Sequence, residues 1–178
     1  RPILNLLGEH YHDPERARED AAAYRGLVTD ISRGGADACI SVKPSQLGLG
    51  IGPDVFEANL GDVVDAAAAA GVFVWIDMED HRTTDATLNA YEGVAREHGG
   101  GVGVCVQANL RRTRADLIRL ADVPGKVRLV KGAYDEPPAL AYRGDAVDEN
   151  YLACLDAMFD AFEGGIAVGS HDPTMIDR

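Results

Sequence analysis

Val-Arg-Leu-Val-Lys-Gly-Ala-Tyr, residues 127–134, reads as a short buried strand that ends in polar residues. Val127, Leu129 and Val130 form an apolar run of the kind a strand covered on both faces requires. Arg128 interrupts that run. A buried charge costs several kcal/mol unless it is paired or used, so a guanidinium here marks either a site or a barrel carboxylate that pairs with it. Lys131, Gly132 and Tyr134 follow where the strand should stop, and the small residues Gly132 and Ala133 would let a flat ligand or a phosphate approach the backbone.

The same unit recurs along the chain. Short apolar runs fall at 3–7, 38–42, 72–76, 102–106 and 166–168, and amphipathic segments separate them. Asp13-Pro14 opens a helix with Tyr24, Leu27, Val28 and Ile31 on one face. Asp54 and Glu57 have the spacing of a capping box ahead of Leu60, Val63, Val64 and Ala67. Thr84 precedes Leu88, Tyr91 and Ala95, and Thr113 with Asp116 precedes Leu117 and Leu120. Leu152, Leu155, Phe159 and Phe162 give the last helix its apolar face.

Six strand–helix units in series imply a parallel sheet, either doubly wound or closed as a barrel. A doubly wound sheet usually carries a glycine-rich phosphate turn after its first strand, and Leu7-Gly8-Glu9-His10-Tyr11 is no such turn. A barrel instead sets polar residues at the C-terminal ends of many strands. Glu9 and His10, Lys43, Asp77 and Glu79, Gln107 and Asn109, Arg128 and Lys131, and Ser170, His171 and Asp172 follow that pattern. Alternation puts Lys43 on the side of Cys39 and Ser41, and Gln107 on the side of Gly103 and Cys105. Small residues on that side suit a crowded interior, so both polar residues should point inward at the mouth. The expected fold is an α/β, TIM-type (β/α)8 barrel. Such a barrel takes about 250 residues, so these 178 residues are expected to form a single domain, 1–178, holding about six of the eight units.

Composition narrows the partners. With 29 acidic and 17 basic residues the formal charge is −12, which argues against nucleic acid. No apolar run approaches the roughly 20 residues of a membrane span, and no leader peptide is expected. Cys39, Cys105 and Cys154 have no metal-ligand spacing and read as core thiols, which points weakly to the cytosol.

Several strand-end residues have bland roles open to them. Asp77 could cap a helix, Lys43 could snorkel at a rim, Gln107 could satisfy backbone groups, and His171 could close a turn. His10, His12, His81 and His98 favour surface or capping roles. Two rival chemistries fit the same residues. One is an aldolase-type Schiff base on Lys131 or Lys43; the other is a divalent-metal site built from His10, Asp77, Glu79 and His171.

Five segments, in order, resemble the proline dehydrogenase family. They are Ser41-Val42-Lys43-Pro44, Trp75-Ile76-Asp77-Met78-Glu79, Val104-Cys105-Val106-Gln107-Ala108, residues 127–134, and Gly169-Ser170-His171-Asp172. The resemblance implies an FAD-dependent barrel that oxidises L-proline to Δ1-pyrroline-5-carboxylate by hydride transfer to flavin N5. It implies Asp77 and Arg128 as catalytic residues. It assigns FAD contacts to Met78, Gln107, Arg128, Lys131, Gly132, Ala133, Ser170 and His171, and substrate contacts to Lys43 and Tyr134, with no metal. Electrons would pass to a quinone or another acceptor, in a cytoplasmic protein with a peripheral membrane contact. Pro44 and Asp172 depart from the family pattern, and Asp172 adds a negative charge. The family also draws an arginine pair from the helix after strand eight; Arg111-Arg112 follows strand four and Arg178 is terminal, so neither matches it.

Overall fold

The structure, a computed structural model, describes residues 1–8 and 10–176; Glu9 and Arg178 lie outside the described residues. The strands are β1 (Ile3–Leu4), β2 (Cys39–Val42), β3 (Val74–Ile76), β4 (Val102–Gln107), β5 (Lys126–Val130) and β6 (Ile166–Gly169). The helices are α1 (Pro14–Arg33), α2 (Pro53–Ala70), α3 (Thr84–His98), α4 (Thr113–Leu120), α5 (Asp145–Ala161) and a short α6 (Pro173–Ile176). Every strand pairing is parallel and the spatial order is β1-β2-β3-β4-β5-β6. Chain order equals sheet order, so there is no switch point at which a doubly wound sheet would reverse. The sheet is the six-stranded part of a TIM-type barrel. None of the described helices is long and apolar enough to cross a membrane.

Side-chain parity sorts the strands as the sequence suggests. Ile40, Val42, Val104 and Val106 pack toward the helices with Tyr24, Leu60, Val63, Leu88, Tyr91 and Leu117. The opposite parity forms a smaller inner cluster of Cys39, Phe73 and Trp75, with Ala167 packed against it. Gly103 belongs to that inner face. A Cβ there would fall 2.5 Å from the Trp75 ring, so only glycine leaves room for the indole.

Helix starts agree in part. Asp13 caps α1, its side chain accepting the Glu15 N–H at 3.0 Å, with Pro14 in the first turn. The Asp54–Glu57 capping box does not form: α2 begins at Pro53 behind Gly52, with no side-chain cap. Proline fills the first turn, where a missing N–H costs nothing. Nor do Thr84 and Thr113 cap; each is the first residue of its helix, and the Thr113 hydroxyl donates instead to the Gln107 carbonyl. On α5 the buried residues are Asn150, Tyr151, Cys154 and Met158, whereas Phe159 is exposed and Leu152, Leu155 and Phe162 are only partly covered. The apolar face read from sequence is the one turned toward β6 and α6, where it lines an open apolar cleft with Val168, Met175 and Ile176.

Candidate functional site

Asp77, just past β3, gathers groups from three neighbouring strands on one oxygen. Its Oδ1 accepts from Ser41 Oγ at 2.6 Å and from Arg128 Nη2 at 2.8 Å, and the Cys105 thiol lies 3.6 Å away. Arg128 also donates through Nε to Cys105 Sγ at 2.9 Å, and its guanidinium stands 4.9 Å from the Trp75 ring centroid. Strand register produces this: Cys105 is the β4 partner of Arg128, so both project inward at one level. The arginine's charge is therefore answered by a carboxylate, a sulfur and an aromatic face, each suited to a guanidinium. Burial, with Asp77's charge beside it, pushes the Cys105 thiol up to about 12. Cys105 is thus a neutral thiol, and it acts as a packing and hydrogen-bonding group.

One layer further toward the strand ends lies a cavity of about 410 Å³. Met78, Gln107, Val130, Lys131, Gly132, Ala133, Tyr134 and the Gly169–Asp172 segment line it. Eight expected site residues thus share one wall: Met78, Gln107, Lys131, Gly132, Ala133, Tyr134, Ser170 and His171. Asp77, Arg128 and Lys43 are not on that wall. Asp77 and Arg128 occupy the inner layer beneath Gln107 and Val130, whereas Lys43 follows β2 on the inward parity of Ser41.

Local structure explains several of these positions. Gln107 is buried and donates through Nε2 to the Glu79 carbonyl at 2.8 Å, which fixes its amide. Gly132 has φ 108, and a Cβ there would strike the Asn109 side chain at 2.2 Å. Its smallness is therefore demanded by the turn and by Asn109 before any ligand is considered. Asn109 Oδ1 is buried with no hydrogen-bond partner. Lys131 Nζ pairs with Asp172 Oδ2 at 2.7 Å and with Asp148 Oδ1 at 2.5 Å. Asp172, the departure from the family pattern, is thus a counter-ion of Lys131.

The rival chemistries fare poorly on this geometry. Hydrogen bonds from Lys131 to Asp148, then to Asp172, hold its ammonium above the usual lysine range. A Schiff-base lysine needs the opposite shift. The four candidate metal ligands are not brought together as a set: His10 and Glu79 share one cleft, whereas His171 lines the other cavity. Asp77 is committed to Arg128, while buried Glu79 accepts from Ser45 N and Oγ, both at 2.6 Å. Among the described residues no group of three or more His, Cys, Asp or Glu side chains could hold a metal ion.

Sequence reading missed several participants. Ser41 and Cys105 had a usable signal, since they share the inward parity of Lys43 and Gln107. Asp148 and Glu136 had none, because their partners are set by loop packing. His81, read as a surface or capping residue, instead meets the buried Glu136 carboxylate. Arg111 stacks on Tyr142 in the loop after β5, and Arg112 pairs with Asp85 of α3 and Asp116 of α4, so the first ties two loops and the second ties two helix starts.

The family model described as Proline dehydrogenase matches residues 1–176. A proline dehydrogenase of Deinococcus radiodurans is 34% identical over 98% of this chain, and proline dehydrogenase 2 of Bacillus subtilis is 31% identical over 98%. The chain spans 57% of the length of each of these relatives. Among solved structures, proline utilization A from Bdellovibrio bacteriovorus inactivated by N-propargylglycine superposes with a TM-score of 0.82. That match has 22% identity and covers 94% of this chain and 22% of the other; at that identity it speaks for the fold.

Proposed function

Because the chain belongs to the proline dehydrogenase family, we propose that it carries the FAD-facing part of an enzyme that oxidises L-proline to Δ1-pyrroline-5-carboxylate. The observation that supports this best is the convergence of eight expected residues, from the ends of four strands, on one cavity of about 410 Å³ beside the Asp77–Arg128 pair. A cavity of that size lies within the range of small-molecule sites.

The donor set fits FAD. Gln107, Lys131, Ser170 and His171 offer polar contacts, Met78 and Val130 offer apolar surface, and Gly132-Ala133 and Gly169 leave backbone accessible. The chemistry FAD would supply when bound is hydride acceptance at N5; the proton lost from the proline nitrogen would go to water, and the product would leave as the imine. Arg128 contributes a fixed positive charge that favours negative charge gained nearby. Asp77 orients Arg128 and is itself oriented by Ser41. Lys43 and Tyr134 would contact proline, and the lysine's charge suits the substrate carboxylate.

Electrons then pass to a quinone or another acceptor. A quinone acceptor would call for a peripheral membrane contact on a cytoplasmic protein, and the charge of −12 argues against a nucleic-acid partner. The test is the visible spectrum of the full natural polypeptide after reconstitution with FAD. Flavin absorption that proline bleaches under anaerobic conditions is the expected result. A polypeptide that retains no flavin, or a bound flavin that proline leaves oxidised, overturns the reading.

A further inference from the structure

We propose that Glu136 and His81 form a clamp that fixes the Tyr134 rim of the cavity against the β3 rim, acting as positioning residues; its consequence for proline rests on the function proposed above. The Glu136 side chain is 1% exposed, yet it sits in a loop. Both of its oxygens are taken by one residue. Oε1 accepts the His81 backbone N–H at 2.9 Å, and Oε2 faces His81 Nδ1 at 2.5 Å. A carboxylate this buried is tolerated only where such contacts are made.

The loop from Lys131 to Gly144 joins β5 to α5, and it is far longer than the usual two to six residues of a strand-to-helix turn. Ties must hold it. Its distal half is bonded to the loop after β4: Arg111 N–H donates to the Leu140 carbonyl at 2.9 Å, and Tyr142 N–H to the Asn109 carbonyl at 2.7 Å. Arg143 folds back to donate to the Glu136 carbonyl at 2.9 Å and pairs with Asp135. Glu136 ties the middle of the loop to the loop after β3.

The link to the cavity is direct on both sides. The Glu136 N–H donates to the Tyr134 carbonyl at 3.0 Å, so the residue held by the clamp closes a tight turn on Tyr134. His81 lies three positions past Met78 and four past Asp77. Met78 and Tyr134 line the same cavity. The clamp therefore sets the spacing of the β3 and β5 walls across the end of β4.

The experiment compares Glu136→Ala, Glu136→Gln and His81→Ala in the full natural polypeptide. Amide hydrogen exchange over residues 132–141 should rise in Glu136→Ala and His81→Ala, while β4 stays protected. The KM for proline should rise about tenfold in Glu136→Ala with kcat little changed, since misplacing a contact residue costs on the order of ten- to a hundredfold. Glu136→Gln keeps one acceptor for the His81 N–H and one donor for Nδ1, so it should restore most of both effects, as a mere loss of stability would not. If Glu136→Ala fails to fold, His81→Ala carries the same readouts, because its side chain is 29% exposed. Unchanged exchange over 132–141 overturns the clamp. Raised exchange with an unchanged KM in an active enzyme overturns its role in placing Tyr134. A wild type that does not oxidise proline counts against the proposed function, and the clamp is then judged by exchange alone.

Discussion

An arginine in an apolar strand is visible at once in a sequence, but its partners are not. Arg128 finds Asp77, which is 51 positions away, together with Cys105 and Trp75. Only the register of β3, β4 and β5 brings Asp77 and Cys105 level with it and sets Trp75, the partner of Gly103, one layer below. Gly132 carries a related lesson. Its smallness is legible as a place for backbone approach, whereas the reason seen in the fold is a positive φ and the Asn109 side chain. At this scale the prediction concerns Arg128. In the full natural polypeptide Arg128→Ala should weaken FAD binding and slow flavin reduction by roughly 10²–10³, the usual effect of losing one electrostatic stabiliser. Arg128→Lys should recover part, because a single ammonium nitrogen lacks the planar fork that presents Nε to Cys105 and Nη2 to Asp77. Flavin content and stopped-flow reduction by proline measure both; an alanine variant with unchanged values would remove Arg128 from the site.

The helices show where periodicity suffices and where it does not. The buried faces of α1 through α4 follow the three-and-four spacing of their apolar residues, because each of those helices has a single sheet to cover. Helix α5 has two apolar faces. Tyr151, Cys154 and Met158 go to the core, while Leu152, Leu155 and Phe159 face the open cleft beside β6. Spacing alone does not rank two such faces; the position of β5 does. Tyr24 of α1 shows how an element is tied down. Its buried hydroxyl accepts the Leu6 N–H at 3.2 Å and stands 3.0 Å from both the Ser41 carbonyl and Gln46 Oε1, and its one proton serves one of these at a time. Burial pushes this phenol up to about 12, so it stays a donor at any ordinary pH. Tyr24→Phe leaves these groups short of a partner and should cost about 1–3 kcal/mol. Thermal unfolding should register roughly 2–4 °C for each kcal/mol, with the spectrum of bound flavin unaltered. A variant as stable as wild type would show that water replaces the hydroxyl.

At the scale of the whole molecule the sheet presents edges at β1 and β6, and exposed apolar residues cluster near them: Ile3, Leu4 and Leu7 at one, Val168, Phe159 and Ile176 at the other. Unpaired parallel edges of this kind invite further pairing. The 178 residues by themselves, given FAD and a dye acceptor, should therefore bind proline at least about tenfold more weakly than a full-length relative, since even one missing Arg–carboxylate contact is worth that much. Turnover near that of such a relative would show that the remaining units are dispensable. The sequence by itself determined the parallel, serial βα architecture, the inward parity of the polar residues and the identity of most cavity-lining side chains. Those features are local or periodic: alternation along a strand, polar residues at strand ends, a charge inside an apolar run. Tertiary structure alone decided which carboxylate answers which cation, namely Asp77 for Arg128 and Asp148 with Asp172 for Lys131, and it alone placed Glu136 on His81. The reason is physical. Such pairings depend on register between strands and on how long loops fold over strand ends, and neither is set by the spacing of residues within one element.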